Sequence, residues 1–185
     1  MGNFKFTNAP LAGILIIETK AFADERGFFM EYYHREAFAQ NGLNEIFIQD
    51  NHSRSAKGTV RGLHYQLPPH QMGKLVKVVK GKIFDVGVDL RKSSPTFGKW
   101  YGEVLDDENK KMLYFPPGFA HGFLALSDAA EVIYKCTALY APASDRGILW
   151  NDPAIGINWP LDQVAKALVS DKDGKNPQLR DAEVF

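Results

Sequence analysis

KIFDVGVDL, residues 82–90, alternates in a way that decides the fold class. Successive residues of an extended chain point to opposite faces, so Phe84, Val86, Val88 and Leu90 share one apolar face. Ile83, Asp85, Gly87 and Asp89 share the other. Immediately upstream, residues 74–80 (KLVKVVK) form another β-branched run. Downstream, residues 131–140 (EVIYKCTALY) set Val132, Tyr134, Cys136, Ala138 and Tyr140 on one side and Glu131, Lys135 and Thr137 on the other. Further strands are expected at 13–18, 28–33, 46–52, 59–66, 100–105, 112–115 and 122–127, separated by Gly, Pro, Asn and Asp. Helical periodicity is confined to 35–41 and 161–169. The expected architecture is mostly β, a sandwich or barrel with short peripheral helices. No repeat or long linker divides residues 1–185, so a single domain is expected.

The 22 basic residues balance the 22 acidic ones, which argues against a broad nucleic-acid or anionic-membrane surface. A local cluster of cations around one phosphate group stays compatible with that sum. One cysteine, Cys136, rules out an internal disulfide framework. The apolar run from Leu11 to Ile17 is broken by Gly13, too short to span a membrane and followed by no small-residue cleavage site, so a soluble cytoplasmic protein is expected.

Two neighbouring segments, QDNHSRS (49–55) and RGLHYQ (61–66), are polar within strand-like surroundings. Buried polar groups cost free energy unless partnered, so these segments are either a site or an exposed sheet face. Strict alternation in RGLHYQ sets Arg61 and His64 on opposite faces; a bulge at Gly62 would bring them together. Tyr134 and Tyr140, facing one interior, are either core with satisfied hydroxyls or part of a ligand site, and periodicity alone favours the core. His121 alone would read equally well as a hydrogen-bonded core histidine.

Taken together with DERGFFMEYY (24–33), GKLVKVVKG (73–81), FDVGVDLR (84–91), SPTFGKW (94–100), PPGFAHGF (116–123), YKCTALY (134–140), ILWNDP (148–153) and SDKD (170–173), these segments resemble the dTDP-4-dehydrorhamnose 3,5-epimerase family over nearly the whole chain. The resemblance implies a cupin-type double-stranded β-helix, or jelly-roll barrel, working as a homodimer on a nucleotide-sugar, dTDP-4-keto-6-deoxyglucose. It implies no cofactor and no metal, although His64, His121 and a carboxylate could compose a three-ligand site. Only His64 stands where metal-binding cupins carry two histidines one residue apart.

Such chemistry needs a base, an acid on the opposite face of the sugar ring, and a cation at the ketone oxygen, because the C4 ketone acidifies the C3 and C5 protons. The resemblance assigns His64 as base with Asp173 as its carboxylate partner, Tyr134 as acid and Lys74 as the oxyanion's cation. It assigns Arg26, Glu31, Gln49, Asp50, Asn51, Arg61, His121, Asp145 and Lys172 to substrate binding, and Tyr140 to stacking on thymine. Arg26 and Glu31 are expected to reach the neighbouring subunit's site. Asp145 departs from the family pattern, which commonly has a glutamate there. Alternative readings are a relative inverting only C3 or C5, a silent nucleotide-sugar binder and a metal-dependent cupin.

Overall fold

In the computed structural model, which describes residues 2–185, the strands follow the chain as β1 (Phe4–Asn8), β2 (Leu15–Thr19), β3 (Ala21–Asp24) and β4 (Gly27–Met30). Helix α1 (Arg35–Gln40) comes next. Then follow β5 (Gln49–Ala56), β6 (Thr59–Gln66), β7 (Lys74–Lys80), β8 (Lys82–Asp89), β9 (Trp100–Asp106), β10 (Met112–Phe115), β11 (Phe119–Ala125) and β12 (Ala129–Cys136). Short elements close the chain: β13 (Asp145–Gly147), β14 (Leu168–Val169) and α2 (Asp171–Gly174).

One sheet runs β1-β2-β10-β7-β12-β5, and the other β13-β6-β11-β8-β9 with β14 added parallel to β6. The remaining pairings are antiparallel, and the two sheets face each other as the jelly-roll barrel of cupin type that was expected. Gly81 carries the chain from one sheet to the other at a φ of +78°; an added Cβ would fall 2.2 Å from the Ala129 carbonyl oxygen.

Alternation sorts each strand's residues into separate cores. Val76, Ile83, Leu113 and Val132 meet between the sheets with Phe115, Phe119 and Phe123. Val86, Val88 and Leu90 pack outward from β8, where Trp159, Ile155 and the last residues of the chain cover them. Leu75 and Met112 pack outward from the first sheet beneath Phe38 of α1. Each such fully buried side chain contributes about 1.5–3 kcal/mol. The interior face of β8 is therefore Ile83, Asp85 and Gly87, and Phe115 lies so close over Gly87 that a Cβ there would meet its ring at 2.4 Å.

The strands at 59–66, 74–80 and 112–115 lie where expected, while others differ in extent. The strand expected at 28–33 is the second arm of the β3–β4 hairpin and ends at Met30. The strand expected at 46–52 starts at Gln49, and the one expected at 131–140 spans Ala129–Cys136, so Tyr140 lies in the following loop. The helix expected at 161–169 is a 3-10 turn at Leu161–Gln163, followed by β14. Val164, Ala167 and Val169 there lie against the outer core of the second sheet, which overrides the short amphipathic pattern of the segment.

Candidate active site

β6 carries a bulge of the kind that would bring Arg61 and His64 to one face. His64 stands opposite His121 and Arg61 opposite Phe123, so β6 spends one residue more than β11 over the same span. The extra residue falls at Gly62, whose φ is +128°, and an added Cβ would lie 2.6 Å from the Gly122 Cα. Arg61 and His64 consequently line one cleft.

His64 Nε2 lies 2.7 Å from Asp173 Oδ1. The other carboxylate oxygen accepts the Gly62 backbone N–H at 3.2 Å, and the Ser170 hydroxyl caps α2 by accepting the Asp173 N–H at 3.1 Å. Burial works to raise the Asp173 pKa, but the His64 hydrogen bond and charge, with the Gly62 and Ser170 contacts, outweigh it and hold the carboxyl below the usual range. Asp173 therefore stays ionised, and His64 is left with Nδ1 as the nitrogen outside the Asp173 hydrogen bond.

Tyr134 comes from β12 in the opposite sheet, and burial pushes its phenol up, with Cys136 adding and Arg61 opposing. Lys74 opens β7 beneath the same cleft; burial lowers its pKa, while Cys136, Asp145 and Asp85 oppose that effect. The cleft has two lobes that share His64, Lys74, Tyr134 and Lys172. One lobe, about 470 Å³, adds Ser53, Arg61, His121 and Asp173. The other, about 380 Å³, adds Gln49, Asn51, Met72, Tyr140 and Asp145.

The second lobe is a hydrogen-bonded frame. Gln49 Oε1 accepts the Tyr140 backbone N–H at 2.9 Å, and Gln66 holds the same loop by accepting the Ala141 N–H at 2.8 Å. The Tyr140 hydroxyl donates to Asp145 Oδ2 at 3.3 Å, and Lys172 Nζ donates to the same oxygen at 2.6 Å, which raises the Lys172 pKa. Tyr140 reaches the cleft from its loop, with its ring more than half exposed, and shares the second lobe with Tyr134. In the first lobe Arg61 is pinned where its Nε donates to Ser55 Oγ at 3.0 Å.

Three expected binding residues stand outside this cleft. Asp50 lies on the other face of β5 and pairs with Lys135 Nζ at 2.9 Å. Arg26 sits at the tip of the β3–β4 hairpin, where it pairs with Asp24 at 2.5 Å and its side chain is 84% exposed. Glu31, just past that hairpin, accepts a long 3.4 Å hydrogen bond from Asn3 Nδ2.

Two groups at the cleft were not singled out from the sequence. Ser53 Oγ is buried without a partner among the described residues. Asp85 Oδ1 meets His121 Nε2 at 2.7 Å, behind the first lobe. The signal for Asp85 was its place on the interior-facing side of β8, an acid between Ile83 and Gly87. Among the described residues no group of three or more His, Cys, Asp or Glu is arranged to hold a metal ion; His64 and His121 each face a carboxylate of their own. Among those residues, too, no helix is long and apolar enough to cross a membrane.

Comparison with known proteins gives a consistent picture. The family model for dTDP-4-dehydrorhamnose 3,5-epimerase matches residues 8–181. Relatives of that name from Methanothermobacter thermautotrophicus and Shigella flexneri are 51% and 54% identical, over 100% of both chains in the first case and 93% of this chain and 94% of the relative in the second. A dTDP-6-deoxy-D-glucose-3,5-epimerase from Legionella pneumophila, solved with dTDP-4-keto-L-rhamnose, superposes with a TM-score of 0.93 at 44% identity, covering 97% of this chain and 95% of that one. A 3'-monoepimerase from Streptomyces bikiniensis, solved with dTDP-quinovose, shares the fold at a TM-score of 0.87 and 35% identity, covering 94% and 87%.

Proposed function

The chain belongs to the dTDP-4-dehydrorhamnose 3,5-epimerase family, and from that membership we infer that it is an isomerase inverting C3 and C5 of dTDP-4-dehydro-6-deoxy-D-glucose to give dTDP-4-dehydro-L-rhamnose. The observation that carries the mechanism is a His–Asp pair from one wall of the cleft set against a tyrosine from the other, with a lysine between them.

In this reading His64 Nδ1 takes the proton from the carbon beside the ketone, while Asp173 stabilises the resulting imidazolium through Nε2. The electron pair moves to the ketone oxygen, where Lys74 balances the developing enolate charge. Tyr134, whose raised pKa keeps its proton at neutral pH, delivers that proton to the same carbon from the opposite side and recovers one from solvent. His64 releases its proton to solvent as the ketone re-forms, and the sequence then repeats at the second carbon. Tyr140 stacks on the thymine, Gln49 and Asn51 frame the base, and Arg61 and Lys172 face the diphosphate.

A homodimer accounts for two of the residues outside the cleft, Arg26 and Glu31. The β3–β4 hairpin presents Phe22, Phe28 and Phe29 to solvent, the last 72% exposed, and apolar surface of this kind marks an interaction site. Docked on a second copy, the hairpin carries Arg26 and Glu31 to that copy's cleft. Residues 1–185 act as one epimerase domain in this reading, supported by the C-terminal segment covering the second sheet. The free Cys136 fits a reducing, cytoplasmic compartment.

Proton NMR of the substrate incubated with the enzyme in deuterium oxide tests the function. Loss of both the H3 and H5 signals is expected. Loss of one alone would make the protein a single-carbon epimerase like the Streptomyces relative, and loss of neither would remove the assignment.

A further inference from the structure

Asp85 is wholly buried, and neither its place in the strand nor the mechanism above accounts for it. Oδ1 is engaged by His121 Nε2, while Oδ2 is buried with no partner among the described residues. A half-satisfied buried carboxylate is costly and persists where something nearby needs its charge. Lys74 is that neighbour: its electrostatic partners are Asp85, Asp145 and Cys136, and no hydrogen bond to a carboxylate accompanies them. His121 faces His64 across the β6–β11 pairing, so the two imidazoles stand side by side, each with a carboxylate behind it.

We propose that Asp85 is a positioning residue of the active site, holding the His121 ring through Nε2 and supplying the counter-charge that keeps Lys74 an ammonium beneath the substrate ketone. Held this way, His121 carries its proton on Nε2 and offers Nδ1 to the cleft as an acceptor, suited to a sugar hydroxyl. Its neutrality follows from its surroundings. Burial works against a second proton, Asp85 favours one, and the Lys74 and His64 charges oppose it again. The buried cluster then holds one negative charge, on Asp85, and one positive charge, on Lys74, with a neutral imidazole between them. Burial raises the Asp85 pKa, and His121 and Lys74 both act against that rise.

This proposal rests on the reading of Lys74 as the oxyanion's cation, and two measurements separate the two claims. The first is nitrogen-15 NMR of the histidine rings in the unmodified enzyme, with His121 assigned by its loss in His121→Gln. The Nε2–H tautomer is expected at neutral pH. A proton on Nδ1 alone, or on both nitrogens, would overturn the proposal whatever the role of Lys74.

The second is the pH profile of turnover for Asp85→Asn, which preserves shape and removes the charge. Lys74 faces Asp85 from β8, His64 from β6, His121 from β11, Tyr134 and Cys136 from β12 and Asp145 from β13, so only one of several charges changes. Loss of a negative neighbour makes the ammonium easier to deprotonate, and the alkaline limb of kcat should move about one pH unit lower. At the optimum, kcat should fall about 10- to 100-fold, as when an outer hydrogen-bond partner is lost, with KM within about threefold. A lower kcat with an unmoved alkaline limb would reduce Asp85 to a structural residue and refute the proposal. Should the variant fail to fold, the tautomer of the unmodified enzyme decides.

Discussion

Asp173→Asn is the substitution whose outcome the geometry fixes most tightly. The carboxylate accepts from two donors at once, His64 Nε2–H at 2.7 Å and the Gly62 N–H at 3.2 Å. An amide of the same shape has one acceptor oxygen. If that oxygen stays with Gly62, the amide nitrogen donates to His64 Nε2 and forces the imidazole proton onto Nδ1, the nitrogen that must abstract the substrate proton. If the amide turns over, its NH2 group faces the Gly62 N–H in a buried site, a donor against a donor costing about 1–3 kcal/mol. The second arrangement keeps Nδ1 as the base but is disfavoured by that cost, so the first predominates and most molecules lose the base. Wrong-tautomer substitution in a serine protease triad costs about 10⁴ in kcat, and general base catalysis as a whole supplies about 10²–10⁴. A fall in kcat of about 10³ or more is therefore expected, with KM little changed. The assay is deuterium wash-in at C3 and C5 under saturating substrate, with thermal unfolding recorded alongside, since the residue anchors α2 to β6. A folded variant within about threefold of the parent rate would refute the assignment of Asp173 and, with it, of Nδ1 as the base.

Tyr134→Phe removes the acid but leaves the base, so deuterium should still enter at C3 while inverted product falls by about 10²–10³; equal loss of exchange and inversion would contradict separate faces. Tyr140→Ala removes a stacking surface worth about 1–3 kcal/mol, so KM should rise about tenfold at unchanged kcat; steady-state kinetics decide it. Asp89, on the far end of β8, is acted on by burial, which raises its pKa, and by bonds from Arg91, Ser94 and Thr96, which outweigh burial and hold it at about 2. Its folded value lies below the unfolded one of about 3.9, so its contribution is present above that pH and is lost as the pH falls through about 2. Asp89→Asn should lower the Tm at pH 7, with the difference from the parent closing between pH about 4 and about 2. Gly87→Ala drives a methyl into Phe115 and should cost about 1–3 kcal/mol in chemical denaturation, partly recovered by adding Phe115→Leu.

What the sequence disclosed tracks how local each signal was. β7 and β8 were legible because β-branched residues recur within each strand, and β10 because it is a short continuous apolar run. The Gly62 bulge was open to reading because the resemblance assigns Arg61 and His64 to one site and a glycine stands between them. The 161–169 segment misled because its apolar residues, spaced as on a helix, lie against the second sheet instead, and only the folded sheet reveals that alternative. Tyr140 was placed on a strand because alternation continues past Cys136; Gln49 and Gln66, both far off in sequence, pull that loop out of the sheet. The pairings of His64 with Asp173 and of His121 with Asp85 span long stretches of chain, and periodicity carries no information about them. The first was reached through family resemblance, and the second needed coordinates.

The partner of the base lies far downstream of it in the chain. His64 leaves the ribosome with its strand, but the carboxylate that prepares it lies 109 positions later, on a single capped turn. A nascent chain can therefore have the main strands of both sheets synthesised and still lack the carboxylate that prepares its base. Full activity arrives with one late docking event, Ser170 to Lys175 folding back onto β6. A chain cut short by translational error before that point lacks both the group that prepares its base and the residues Leu179, Val184 and Phe185 that cover its second sheet.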